Sequence, residues 1–188
     1  MSTQSHYFIA VPIKERLKEQ LSTWQKNLQP LLTYKQWPHK DDLHITLKFL
    51  GAIGADQIQN VQHAFKRLES LDAFSVRAKG IGTFGQPDKP RVLWAGVEKN
   101  KALMALYHRV EDIASACGFT KDNRPYRPHI TLAKKWQGPP SGDIVQKIKR
   151  QYRNEHSLLN IQEVVLYQIH PQQTPKYEAK TVYQLRSR

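Results

Sequence analysis

The chain has 188 residues, 39% of them apolar, and a formal net charge of +13. That length suits one compact domain or two small, closely packed lobes, and the absence of any low-complexity tract argues against disorder. No apolar run is long enough to cross a membrane, and so positive a surface favours polyanions such as nucleic acid, with a merely basic surface as the plain alternative.

The opening segment Met1–Ser5 lacks the charged and apolar regions of a signal peptide. The single Cys117 cannot form an internal disulfide. Together these make a reducing cytoplasm the expected location. Cys117 closes a helical pattern, where an inert, buried thiol is expected and a nucleophile is not.

In chain order, His6–Pro12 reads as a buried strand closed by proline. From Lys14 to about Leu28, apolar residues at Leu17, Leu21, Trp24 and Leu28 share one helix face, and Pro30 stops the helix. Gln36–Asp42 is a polar approach loop containing Trp37, which could stack a base or cover the edge of the core. A strand follows from His44, ended by Gly51 and Gly54. Gln57–Leu68 is an amphipathic helix with Ile58, Val61, Phe65 and Leu68 on one side. Phe74–Ile81 and Arg91–Val97 read as strands joined by a Gly/Pro-rich loop, Gly82–Pro90. Lys101–Cys117 is a helix burying Leu103, Leu106, Tyr107, Val110 and Ile113, with Gly118 as its stop. After a basic loop, a strand runs from His129. Gly138–Gly142 breaks the chain, and Ser141 or Asp143 is placed to cap a helix that ends near Tyr152. Ile161–Ile169 and Tyr177–Leu185 close the chain as strands.

One tetrapeptide occurs twice: His44-Ile45-Thr46-Leu47 and His129-Ile130-Thr131-Leu132, 85 residues apart (129 − 44). β-Branched Ile and Thr favour extended backbone, and side chains at i and i+2 share a face. Each copy therefore offers an imidazole and a hydroxyl on one side and apolar residues on the other. A single His-x-Thr is usually surface or a satisfied polar pair. Two identical copies with similar surroundings form a much stronger signal. Two imidazoles titrating near ~6.5 can act as acid and base at neutral pH, and two hydroxyls can donate to anionic oxygens.

The segments Leu43–Gly51 and Arg124–Lys134, which carry these copies, closely resemble the paired signatures of the 2H phosphoesterase superfamily. Within it the chain is similar to the bacterial and archaeal RNA 2′,3′-cyclic phosphodiesterases, formerly called 2′-5′ RNA ligases. The likeness extends over nearly the whole chain, including His6–Pro12 and Pro90–Gly96. It implies an α+β, bilobal fold: two pseudo-symmetric lobes of sheet plus helices around a central cleft, forming a single domain over 1–188. It further implies hydrolysis of RNA 2′,3′-cyclic phosphodiester ends to a 2′-phosphomonoester, with His44 as proton donor and His129 as proton acceptor, and Thr46 and Thr131 as donors to the phosphate. No cofactor or metal is expected. The partner expected is RNA bearing a cyclic phosphate end, with no membrane and no obligate protein partner, the chain acting as a monomer.

A cation at the phosphate would complete such a site. The family often carries arginine three residues after the second threonine, where this chain has Lys134. Lysine neutralises charge there but cannot fork to two oxygens. Strict alternation instead puts Lys135 beside His129 and Thr131, so a bulge or twist decides between them. The same count puts Lys48 beside His44 and Thr46. Arg124 and Arg127 could grip RNA backbone or simply be a solvated basic loop. The remaining histidines are scattered without ligand spacing. Two alternatives stay open: the same chemistry on small cyclic nucleotides, ADP-ribose cyclic phosphate or 2′-5′-linked oligonucleotides, and a non-catalytic RNA-binding module.

Overall fold

The computed structural model describes residues 4–187; Met1–Thr3, most of the segment read for a leader, lie outside the described residues. Strands and helices alternate as β1 (Ser5–Pro12), α1 (Glu15–Leu28), β2 (Tyr34–Gln36), β3 (His44–Ile53), α2 (Ala55–Phe65), β4 (Phe74–Gly85), β5 (Pro90–Val97), α3 (Lys101–Ala116), β6 (His129–Trp136), α4 (Gly142–Gln151), β7 (His156–Ile161), β8 (Glu163–Ile169) and β9 (Tyr177–Gln184).

The helices follow their apolar spacing. Leu17, Leu21, Trp24 and Leu28 of α1 are all buried, as are Leu103, Leu106, Tyr107, Val110 and Ile113 of α3. Asn100 caps α3 by accepting the Leu103 backbone N–H, and Gly118, in the left-handed region at φ 91°, ends it. Ser141 takes the N-cap place of α4 without a side-chain capping bond. The helix expected over Gln57–Leu68 is α-helical only to Phe65 and tightens into a 3₁₀ turn over Lys66–Ser70.

All nine strands join one antiparallel sheet in the order β7-β4-β5-β6-β3-β1-β8-β9, with β2 added to β6. The order divides into two four-stranded halves, β3-β1-β8-β9 and β6-β5-β4-β7, whose inner strands carry the two motifs. The halves meet where β3 and β6 pair antiparallel through Ile45 and Ile130. The sheet curls strongly, since β7 and β8 lie near opposite ends of the order yet only Gln162 separates them in the chain. Sequence alone reads Ile161–Ile169 as one strand; the turn at Gln162 is where the chain leaves one lobe for the other. Helix α1 follows β1 but packs on β6 and β7, while α3 follows β5 but packs on β3. Each lobe is thus covered by a helix from the other.

The Gly82–Pro90 loop is shorter than composition suggests, because β4 continues to Gly85. A Cβ on Gly82 would come within 2.0 Å of the Trp94 ring. Glycine stands there to admit an indole from the neighbouring strand, not to make a turn.

Candidate active site

Each motif strand carries a bulge one residue beyond its threonine. Ala10 pairs with Thr46 and Ile9 with Lys48, leaving Leu47 extra; Trp94 pairs with Thr131 and Leu93 with Ala133, leaving Leu132 extra. A bulge withdraws carbonyls from the ladder, and side chains take them up. The Tyr126 hydroxyl donates to the Thr46 carbonyl at 3.0 Å. Gln25 of α1, buried, donates to the Leu132 carbonyl at 3.0 Å and to the Pro38 carbonyl at 2.9 Å. The Tyr126 ring is itself stacked on Tyr107, centroids 4.0 Å apart.

The bulges decide which basic residues reach the cleft. Beyond Thr131 the alternation is reset, so Lys134 joins the cleft with His129 and Thr131. Lys135 is exposed on the other side, with a backbone φ of 64°, and is not at the site that strict alternation assigns it. Lys48 is likewise turned away from His44. It is buried, ion-paired to Glu111 of α3 at 2.9 Å, and donates to the Thr120 carbonyl at 2.7 Å. Its place on the cleft face is taken by Phe49, a phenylalanine that is 65% exposed.

The histidines are held alike. His44 Nδ1 lies 2.7 Å from the Asp42 carbonyl and His129 Nδ1 lies 2.7 Å from the Arg127 carbonyl. A carbonyl only accepts, so each Nδ1 carries a hydrogen and donates it. In the neutral rings this leaves both Nε2 atoms free to take a proton. His44 Nε2 is 2.9 Å from the Thr46 hydroxyl. His44 sits against Phe8 and the edge of Tyr177, with centroids at 4.8 and 5.3 Å; His129 meets Phe84 edge-on at 4.9 Å. Burial among these rings disfavours the imidazolium. It lowers His44 to about 4, and lowers His129 as well.

A cleft of about 630 Å³ gathers His44, Thr46, His129, Thr131 and Lys134, and its rim includes Arg124 and Arg127. Arg124 is exposed there, its guanidinium 3.5 Å from Asp122. Burial, then the neighbouring Lys176 and Lys135, lower the Lys134 ammonium. Trp37 does not line this cleft. It is half-buried against the edge of Tyr34 and faces a smaller, adjoining cavity.

Residues outside the sequence expectations also line the cleft: Phe49, Phe84, Arg91, Tyr126 and Tyr177. Of these only Phe49, in the strand of the first motif, left any local signal, and the bulge hid it. Asp42, the last residue of the polar approach loop, carries no local signal of its role. Buried, it accepts the backbone N–H groups of Lys176 and Tyr177 on its carboxylate while its carbonyl orients His44. Among the described residues no three His, Cys, Asp or Glu side chains are placed to hold a metal ion.

Comparison with known proteins identifies the family. The family model described as "LigT like Phosphoesterase" matches twice, over residues 11–94 and 96–177. The two matches start 85 residues apart (96 − 11), the spacing of the motifs. An RNA 2′,3′-cyclic phosphodiesterase of Bacillus subtilis is 38% identical over 190 residues, covering 96% of each chain. One of Geobacillus stearothermophilus is 35% identical over 183 residues, 97% of this chain but only 58% of that protein's length. Among solved structures, E. coli LigT complexed with 3′-AMP superposes with a TM-score of 0.76 at 22% identity, over 97% of this chain and 99% of that one. The chain belongs to the LigT-like phosphoesterase family.

Proposed function

We propose that the chain hydrolyses the 2′,3′-cyclic phosphodiester at RNA ends, the activity named for its Bacillus and Geobacillus relatives. One observation carries the reading: two imidazoles with Nδ1 anchored to carbonyls and Nε2 turned to one cleft, beside a lysine that forms no ion pair among the described residues. Hydrolysis of a cyclic diester needs one base and one acid. His129 Nε2 takes a proton from water as the water oxygen bonds to phosphorus. The P–O3′ bond breaks, and His44 Nε2 gives its proton to the departing 3′-oxygen, leaving a 2′-phosphate. Thr46, Thr131 and Lys134 donate to the non-bridging oxygens, where negative charge is held.

The assignment of donor and acceptor follows the family resemblance. It requires a protonated His44, which burial opposes in the empty cleft. The phosphate anion supplies the missing opposite charge on binding and raises His44 back toward protonation. Phe49 offers a ring for the terminal base, and Arg124 and Arg127 offer charge to the backbone. The +13 surface draws RNA toward the cleft. We place the protein in the cytoplasm as a single bilobal domain acting as a monomer, since one chain supplies both motifs. Among the described residues no helix is long and apolar enough to cross a membrane.

The test is product analysis of a short RNA ending in 2′,3′-cyclic phosphate, incubated with the protein and a chelator. Ring opening to a 2′-phosphate is expected. An unopened ring refutes the activity, and a 3′-phosphate product reverses the assignment of the two histidines.

A further inference from the structure

Beside the catalytic cleft lies a second cavity of about 250 Å³, walled by Lys35, Trp37, Lys134, Lys176 and Tyr177 among others. It shares Lys134, Asp42, Pro38 and Tyr177 with the cleft itself, so the two volumes adjoin across these residues. Lys134 and Lys176 both line the second cavity, and Lys176 is near enough to add to burial in disfavouring the charge of Lys134. Among the described residues neither has an ion pair or a side-chain hydrogen bond. Asp42, the acid in the wall, has its carboxylate turned onto three backbone N–H contacts from Lys176 and Tyr177. That bond also fixes the backbone from which the Lys176 side chain departs. Trp37 is held by Tyr34 on one edge and is half-buried, presenting the rest of its indole to the cavity.

Facing cations beside a phosphate-handling cleft, with an aromatic surface behind them, are what a second nucleotide needs. Lysines take the backbone phosphate, and an aromatic ring stacks a base of any identity. We infer that this cavity binds the nucleotide preceding the cyclic end, its phosphodiester between Lys134 and Lys176 and its base on Trp37. The inference rests on the proposed RNA-end activity and adds a size rule to it: the preferred substrate has at least two nucleotides. A mononucleotide cyclic phosphate reaches only the cleft.

The experiment compares a dinucleotide and a mononucleotide, each as the 2′,3′-cyclic phosphate for turnover and as the 2′-phosphate for binding, in the unaltered protein and in Lys176→Ala and Trp37→Ala. The dinucleotide is expected to show kcat/KM and affinity roughly tenfold higher, from stacking of one base and one phosphate contact. Each variant should remove most of that advantage and leave the mononucleotide constants within about twofold. A dinucleotide with an uncharged methylphosphonate linkage should lose the part that depends on Lys176 and keep the part that depends on Trp37. Equal constants for both lengths, with the protein active on both, overturn the cavity assignment and leave the hydrolase standing. Tighter binding of the dinucleotide 2′-phosphate through Lys176 and Trp37, with no turnover of either cyclic compound, upholds the cavity and overturns the hydrolase. Variants that weaken both lengths equally also overturn the cavity assignment, since the residues would then act on the cleft.

Discussion

Phe49 holds in the first motif strand the place that Lys134 holds in the second. Each lies five residues after its histidine (49 − 44 and 134 − 129) and faces the cleft beyond a bulge. The two lobes repeat the histidine–threonine pair but differ beyond the bulge: one presents a cation, the other a ring. Lys134→Ala should lower kcat/KM by roughly 10- to 100-fold, the loss of one charged hydrogen bond, on every substrate. Phe49→Ala should lower it by roughly fivefold or more through KM, from lost stacking, with little change in kcat. Steady-state kinetics of both variants checks this division. A kcat loss for Phe49→Ala equal to that of Lys134→Ala contradicts it.

His44→Ala and His129→Ala should each cost ~10²–10⁴-fold in rate, the usual worth of a positioned acid or base. The double variant should fall well short of the product, because the pair acts as a unit. Thr46→Ala and Thr131→Ala should be milder, each deleting one neutral donor. Single-turnover rates on folded variants test the ranking, and near-normal turnover by either histidine variant rejects the mechanism.

Gln25 touches neither motif histidine nor Lys134 by any hydrogen bond, yet its amide fills the carbonyl that the β6 bulge leaves open. Gln25→Leu should destabilise the protein by about 1–3 kcal/mol, the cost of orphaning a buried acceptor. With the bulge relaxed, Lys134 loses its direction, so KM should rise more than kcat falls. Denaturant melts combined with kinetics test the claim, which fails if stability drops and KM does not move.

Lys48 tests the opposite case, a basic residue near the motif that serves the core. Lys48→Met strands Glu111 as a buried charge and should cost about 3 kcal/mol or more. Adding Glu111→Leu should recover much of the loss. A denaturant midpoint in Lys48→Met unchanged from the native protein would show that the buried pair contributes nothing.

Burial lowers both histidines in the empty cleft, His44 to about 4. The proposed mechanism needs one imidazole neutral and one protonated in the free protein. The kcat/KM optimum must therefore lie between the two lowered values, on the acid side of the ordinary ~6.5. Bound phosphate raises both, so the kcat optimum should sit at higher pH than the kcat/KM optimum. A pH series of initial rates decides this. Coincident optima at or above pH 7 would show that the empty cleft does not hold its histidines neutral.

The paired motifs were legible because a period of two puts histidine and threonine on one face whatever surrounds them. Strict alternation failed one residue later. A bulge is invisible to it, and two bulges exchanged Lys48 for Phe49 and Lys135 for Lys134. The burial of Lys48 depends on Glu111, 63 residues away, and no local pattern announces such a partner. Tyr177 reaches His44 only because β8 and β9 complete the first lobe, a matter of strand order that the sequence leaves open. Strand β2 is three residues long, too short to leave a pattern, and β7 exposes Leu158, so its spacing marks no single face; the strand expected from Ile161 contains only its last residue.

The strand order has a consequence for synthesis. The lobe opened by β1 and β3 is finished by β8 and β9, whereas β4 to β7 are all translated before them. The lobe begun first is therefore completed last. As the chain leaves the ribosome, β1 waits with one side unpaired until β8 has emerged, and Tyr177 reaches His44 only after that. Unpaired strand edges invite pairing with other chains, so the nascent protein is most vulnerable to misassembly along β1 until β8 and β9 have emerged.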